Sequence, residues 1–245
     1  MTKPAQPLSV LSAGSMRYAF PAIIAAFGEL NDVPISLTLG PAGLLRERIE
    51  AAAYFDLFAS ANMAHPRHLA AQGITDDAVC FARNRLCVLA RSDLGLTTAN
   101  LLGVITDPRI KIGTSTPGDD PAGDYAFEAF DLIEAKHSGF GKPLKSRARQ
   151  LVGGRNSPPT PPGKGAGWLI TDGEVDLFLS YYSNARLLKS DPAFSVVALP
   201  EEFSPIIEYG VTIRKGACAE AAELRDFLLS SDGQRILERN EFEPV

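Results

Sequence analysis

The chain has no run of about eighteen apolar residues, so it contains no helix that could cross a bilayer. Cysteine is scarce: Cys80, Cys87 and Cys218 are the full set. An odd number with no close C-x-x-C pair gives neither a disulfide framework nor a zinc site. A buried free thiol is the ordinary role of each, with a Cys80–Cys87 pair as the alternative. There is no basic surplus either. Lys and Arg total 24 against 29 Asp and Glu, a net charge of −5, with no basic stripe or tail, which argues against nucleic acid as a partner. Of the three histidines, His65 and His68 could share a helix face, but no Glu-x-x-His partner or cysteine cluster joins them. They read as two surface histidines rather than a metal site. Neither a G-x-S-x-G elbow nor a G-x-x-x-x-G-K-[ST] loop occurs, and "GKGAG" at 163–167 lacks the strand that a phosphate loop needs. With no nucleophile beside an arranged base, the chain is not expected to be an enzyme. The stretch "MTKPAQPLSV" has one lysine and no long hydrophobic core, and does not read as a secretory signal.

What is present is an α/β pattern. The 245 residues are 45% hydrophobic and 22% charged, ordinary for a globular chain and enough for one large domain or two lobes of about 100–120 residues. No repeat of fixed period appears; short apolar runs alternate with helical stretches. In "LSVLSAGSMRYAFPAIIAAF" a strand ends at Ala13-Gly14-Ser15. Met16, Phe20, Ile23, Ile24, Phe27 and Leu30 then recur at helical spacing. "VPISLTL", "FDLFAS", "RIKIGTS", "FSVVALP" and "IIEYGVTIRKG" read as strands, and "AVCFARNRLCVLAR" as one long β-like segment. "PAGLLRERIEAAA", "PAGDYAFEAFDLIEAK" and "CAEAAELRDFLLSSDGQRILERN" read as helices, the last as two. The segment "GGRNSPPTPPGKGAG" at 153–167 is too rich in proline and glycine for a packed element and reads as an extended surface loop, either a rim over a ligand cleft or a tolerated insertion.

Four strand-to-helix junctions carry small or hydroxylated residues: Gly14-Ser15, Gly40 to Gly43, Pro117 to Gly123, and Tyr181 to Asn184. Ligands in open α/β sheets bind beyond the carboxyl ends of the strands. Small residues there let backbone N–H groups approach an anion, and helix N-termini favour negative charge. For Ser15 alone, the plain alternative is a helix N-cap.

The segments "LSAGSM", "GLLRERIEAAAYFDLFASAN", "FARNRLCVLAR", "IGTSTPGDDPAGDYAFEAF", "GEVDLFLSYYSNA" and "FLLSSDGQRILERNEF", in this order, resemble the molybdate- and tungstate-binding components of ATP-driven importers. "AGS" and "DDPAG" resemble the tungstate/molybdate branch in particular. The resemblance implies a two-lobed type II periplasmic-binding-protein fold with a hinge and a central cleft, residues 1–83 with 191–245 forming one lobe and 84–190 the other. "FARNRLCVLAR" and "VVALPEEFSPIIEYG" would be the two crossings. It implies an oxyanion, molybdate or tungstate, held by neutral donors, with no further cofactor. Gly14 and Ser15 would contribute from the first loop, Ala42 and Gly43 from the second, Asp120 and Ala122 from the third, Gly163 from the fourth, and the Tyr181 phenol from the last junction. It further implies a monomer in the periplasm, delivering its ligand to a membrane permease without entering the membrane.

Two departures stand out. Where the family carries a serine in its second loop, this chain has Ala42, which leaves only backbone N–H groups. Asp120, or Asp119, falls where an acidic residue of the tungstate-selective branch joins the metal's coordination sphere and makes it six-coordinate; otherwise it is a solvated loop residue. Arg17 is expected as an exposed helix residue. A cytoplasmic oxyanion sensor or storage protein on the same fold, or a binder of another small anion such as sulfate or phosphate, is the alternative function.

Overall fold

A computed structural model of the chain describes residues 6–159, 161 and 167–245. In chain order the first elements are β1 (Leu8–Ala13), a 3-10 turn at Gly14–Met16, α1 (Ala19–Gly28), β2 (Ile35–Gly40), α2 (Ala42–Glu50), β3 (Leu57–Ser60) and α3 (Ala64–Ala71). Then come β4 (Val79–Asn84), β5 (Leu86–Arg91), α4 (Leu101–Thr106), β6 (Ile112–Ser115), α5 (Pro121–Lys136), α6 (Gly141–Arg147) and β7 (Arg149–Val152). The chain continues through α7 (Gly167–Thr171), β8 (Leu177–Tyr181), α8 (Tyr182–Ala185), β9 (Phe194–Ala198), β10 (Ile207–Ile213), α9 (Ala219–Leu229) and α10 (Ser231–Arg239).

These elements form two compact α/β units, Met1–Asn84 with Ile207–Val245, and Arg85–Ile206. The first unit holds a five-stranded sheet of order β2-β1-β3-β10-β4, the second one of order β7-β6-β8-β5-β9. β1 runs parallel to β2 and β3, while β10 runs antiparallel to β3 and β4. In the second sheet β6 runs parallel to β7 and β8, and β5 antiparallel to β8 and β9. Each sheet thus sets one antiparallel strand second from an edge. Fully or almost fully buried strands such as β1, β3, β5 and β8 follow from sheets covered on both faces, which require near-continuous apolar runs. In the first unit α1 buries Phe20, Ile23 and Phe27, and Phe27 meets Phe227 of α9 edge-on at 5.8 Å. In the second, Leu169 and Ile170 of α7 pack with Val175, Phe178 and Leu89.

Several expectations need correction. The segment "AVCFARNRLCVLAR" is not one β segment but two strands separated by Arg85, one in each sheet; the chain passes from one unit to the other there, within the stretch expected as the first crossing. Residues 191–206, assigned by the sequence reading to the first lobe, lie in the second unit, because β9 pairs with β5. The first helix begins at Ala19 and ends at Gly28, so Leu30 falls past its end and is 70% exposed. α4, α6 and β7 are additions; they are short and lack a clear period. All three cysteines are free thiols, and Cys218 is exposed rather than buried. Burial pushes the Cys87 thiol up to about 12. No helix among the described residues is long and apolar enough to cross a membrane.

Candidate functional site

In the first unit, the parallel register sets Ala13 of β1 against Gly40 of β2. The Gly14–Met16 turn and the start of α2 therefore leave adjacent strand ends at the same level. Ser15 is only 9% exposed. Its Oγ accepts a hydrogen bond from the Tyr209 hydroxyl at 2.9 Å, and Asn84 Nδ2 donates to that tyrosine oxygen at 3.3 Å. Tyr209 is fully buried, its ring edge-on to Phe81 at 6.1 Å and to Phe242 at 5.3 Å. Arg17 is partly buried rather than exposed, and its Nε donates to the Gly14 carbonyl at 2.9 Å.

Ala42 and Gly43 are buried in the first turn of α2. The Leu45 N–H is bonded to the Pro41 carbonyl at 3.0 Å, so the N–H groups of Ala42, Gly43 and Leu44 precede the helical ladder. On the far side of β1, Ser60 and Asn62 close the end of β3, Asn62 Oδ1 accepting from the Ser60 hydroxyl at 3.1 Å and from the His65 N–H at 3.0 Å. His65 is half-buried rather than a surface residue, and its ring is held down to about 4. Burial is the main cause, then the charges of Arg46 and His68, with Glu50 opposing. His68 Nε2 lies 2.8 Å from Glu50 Oε1. Among the described residues no three His, Cys, Asp or Glu side chains gather as a metal site.

In the second unit, β6 and β8 run parallel, and their carboxyl ends bring together two of the expected contributors. The Tyr125 ring, in the first turns of α5, meets the ring of Tyr181 at 6.4 Å, which sets the start of α5 beside the end of β8. Tyr181 is buried, as is Ser183 just beyond it. Asp120 is not a solvated loop residue: it is the N-cap of α5, and its Oδ1 accepts the Ala122 N–H at 3.1 Å. Gly123 packs so closely that a Cβ there would lie 2.5 Å from the Thr116 carbonyl carbon, which explains a glycine at that point of the helix.

Asp119 is held by Arg155, whose backbone N–H donates to Oδ2 at 2.8 Å and whose guanidinium reaches Oδ1 at 2.9 Å. Burial works against the Asp119 anion, yet these Arg155 contacts hold its carboxyl below the usual range. Burial raises the Asp124 carboxyl, against the bond it accepts from the Gly118 N–H. Gly153 lies against Asp120 with φ +74°, so the opening of the Pro-rich segment is docked onto the α5 cap. A pocket of about 410 Å³ opens there, lined by Thr116, Asp119, Arg155, Ser157, Trp168 and Glu174 among others. Gly163 lies outside the described residues. Sequence reasoning missed Tyr209 and Asn84. The alternation in "IIEYGVTI" places Tyr209 on one face of a strand, but nothing local ties it to a serine 194 positions away.

The sequence profile described as "Bacterial extracellular solute-binding protein" matches residues 8–243. The chain belongs to that family. A protein of Pasteurella multocida is 37% identical over 241 residues, covering 97% of this chain and 99% of its own. The periplasmic molybdate-binding protein of Azotobacter vinelandii superposes with a TM-score of 0.75 at 17% identity, over 96% of this chain and 98% of that one. The sulfate-binding protein of Mycobacterium tuberculosis superposes with a TM-score of 0.78 at 14% identity, over 98% and 88%. At these identities the structures establish the fold, that of two-lobed periplasmic binding proteins.

Proposed function

We propose that this family member captures a tetrahedral oxyanion, molybdate or tungstate, in the periplasm and delivers it to the permease of an ABC importer. The observation that carries the reading is Ser15. The residue is nine-tenths buried, and its hydroxyl accepts from Tyr209 and among the described residues donates to nothing. It lies level with the unladdered N–H groups that open α2. Neutral donors of this kind compensate a dianion without a buried counter-charge.

On this reading Ser15, Gly14, Ala42, Gly43, Ala122 and Tyr181 supply the donors. Ala122 donates to Asp120 in this structure. It becomes free for an anion when that carboxylate turns away, or else Asp120 itself binds the metal and raises its coordination to six. Buried Ala42 contributes an N–H but no hydroxyl, which keeps open a second reading with another tetrahedral anion such as sulfate. The structural likeness to a molybdate binder and to a sulfate binder supports the shared chemistry of the two readings.

Isothermal titration of the ligand-free protein with molybdate, tungstate, sulfate and phosphate in parallel tests this. Sub-micromolar binding of the first two, with the others silent, is the expected result. Binding of sulfate alone moves the ligand to the second reading, and silence from all four sinks both.

A further inference from the structure

We propose that Tyr209 is a positioning residue for the anion, fixing Ser15 as a one-way donor; the inference rests on the oxyanion reading above. Three side chains make a directed chain. Asn84 Nδ2 can only donate, and it lies 3.3 Å from the Tyr209 oxygen. The tyrosine proton is directed to Ser15 Oγ at 2.9 Å. With a lone pair of Ser15 engaged, its own proton turns away from Tyr209. Among the described residues it meets no acceptor, although the side chain is nine-tenths buried. A buried serine whose proton is unspent and whose orientation is imposed from behind is a donor set in advance for a ligand atom.

The surroundings hold the relay in place. Tyr209 is 0% exposed and Asn84 5%, and the phenol ring is gripped edge-on by Phe81 and Phe242. Asn84 ends the first segment of its unit and Tyr209 is the third residue of the second. The relay therefore joins the Ser15 loop to both segments of chain that build the unit. Without the tyrosine hydroxyl, Ser15 keeps its oxygen but its proton is free to rotate, and ordering it on binding costs affinity.

The test is a double-mutant cycle of Tyr209→Phe and Ser15→Ala, read by titration with molybdate and tungstate, with a thermal melt of each variant. Tyr209→Phe keeps the ring and its packing. The expected loss of affinity is about three- to tenfold with Ser15 present, the size of one neutral hydrogen bond, and none in the Ser15→Ala background. An equal loss in both backgrounds, or no loss in either, overturns the inference while leaving the oxyanion reading intact. Failure of the unaltered protein to bind molybdate, tungstate, sulfate or phosphate overturns both together.

Asn84→Asp is the second variant, since a carboxylate takes the tyrosine proton and reverses the relay, turning the Ser15 proton inward. Its loss with Ser15 present should exceed its loss in the Ser15→Ala background, where only the added charge remains. Equal losses contradict the relay.

Discussion

Arg155 grips Asp119 twice, through its backbone N–H and through its guanidinium, and the two contacts differ in worth. The guanidinium is more than half exposed, so its ion pair is screened by solvent. Arg155→Ala is expected to cost under about 1 kcal/mol by urea denaturation, since the backbone bond survives. The same variant lets the Asp119 carboxyl rise toward its ordinary range, which carboxylate NMR titration reads directly.

Asp120 separates two roles that a single substitution would confuse. As the N-cap of α5 it accepts from Ala122. Asp120→Ala should therefore destabilise the chain by about 0.5–2 kcal/mol, while Asp120→Asn, which still caps, should change little. Binding gives a different contrast. A four-coordinate oxyanion is indifferent to Asp120→Asn or gains from it, because a competing carboxylate is gone. A six-coordinate metal loses a ligand and binds far more weakly. Melting and titration on the same two variants distinguish the cases.

Gly153 has φ +74°, and a Cβ placed on it would lie 2.3 Å from Asp120 Oδ2. Gly153→Ala should combine left-handed strain with displacement of the α5 cap. A loss of about 1–3 kcal/mol is expected in chemical denaturation. A melting curve identical to that of the unaltered protein would rule out the docking of this segment on the cap.

Ser15→Ala should weaken oxyanion binding about ten- to a hundredfold, the range of a hydrogen bond to a charged group. Its melting temperature should also fall in the absence of ligand, because the buried Tyr209 hydroxyl loses the oxygen it donates to. Unaltered affinity in a folded variant would leave Ser15 only its structural bond to Tyr209.

His65 predicts a pH dependence of stability. The folded chain takes up its proton near pH 4, whereas an unfolded chain takes it up near 6.5. Between those values the unfolded state holds more protons, so stability is full above pH 6.5 and is lost as pH falls toward 4. The contribution is about 1–3 kcal/mol, reduced by the partial exposure of the ring. Urea midpoints measured from pH 4 to 7 should fall less steeply in His65→Gln than in the unaltered chain.

The strands and the long helices were legible in the sequence because each carries a period of its own. β1 with its Gly14-Ser15 exit and α5 behind Pro121 are examples, since strand runs and helix caps are local signals. Local signals also account for the errors. Arg85 separates two sheets inside an unbroken β pattern, and β9 is assigned to its unit only by its partner β5, a non-local fact. The candidate site is a proposal built on the same local signals. Small residues at strand ends marked Ser15, Ala42 and Ala122 as candidates; the Asp120-Pro121 cap signal is local as well, but Asp120 was weighed only as a metal ligand or a solvated loop residue. Tyr209 and Asn84 were invisible, being joined to Ser15 only through the sheet.

The strand order of the first sheet has a consequence for vectorial synthesis. When the ribosome has added residue 206, every strand of the second unit exists, whereas the first still lacks β10, the strand that fits between β3 and β4. Until then β3 and β4 each keep an open edge that β10 will later cover, the kind of edge that invites wrong pairing. The nascent chain therefore completes its later-encoded unit first. The unit that opens with β1 waits for Ile207–Val245, so a stop codon ahead of β10 leaves every strand of the inserted unit in place and takes one from the unit that encloses it.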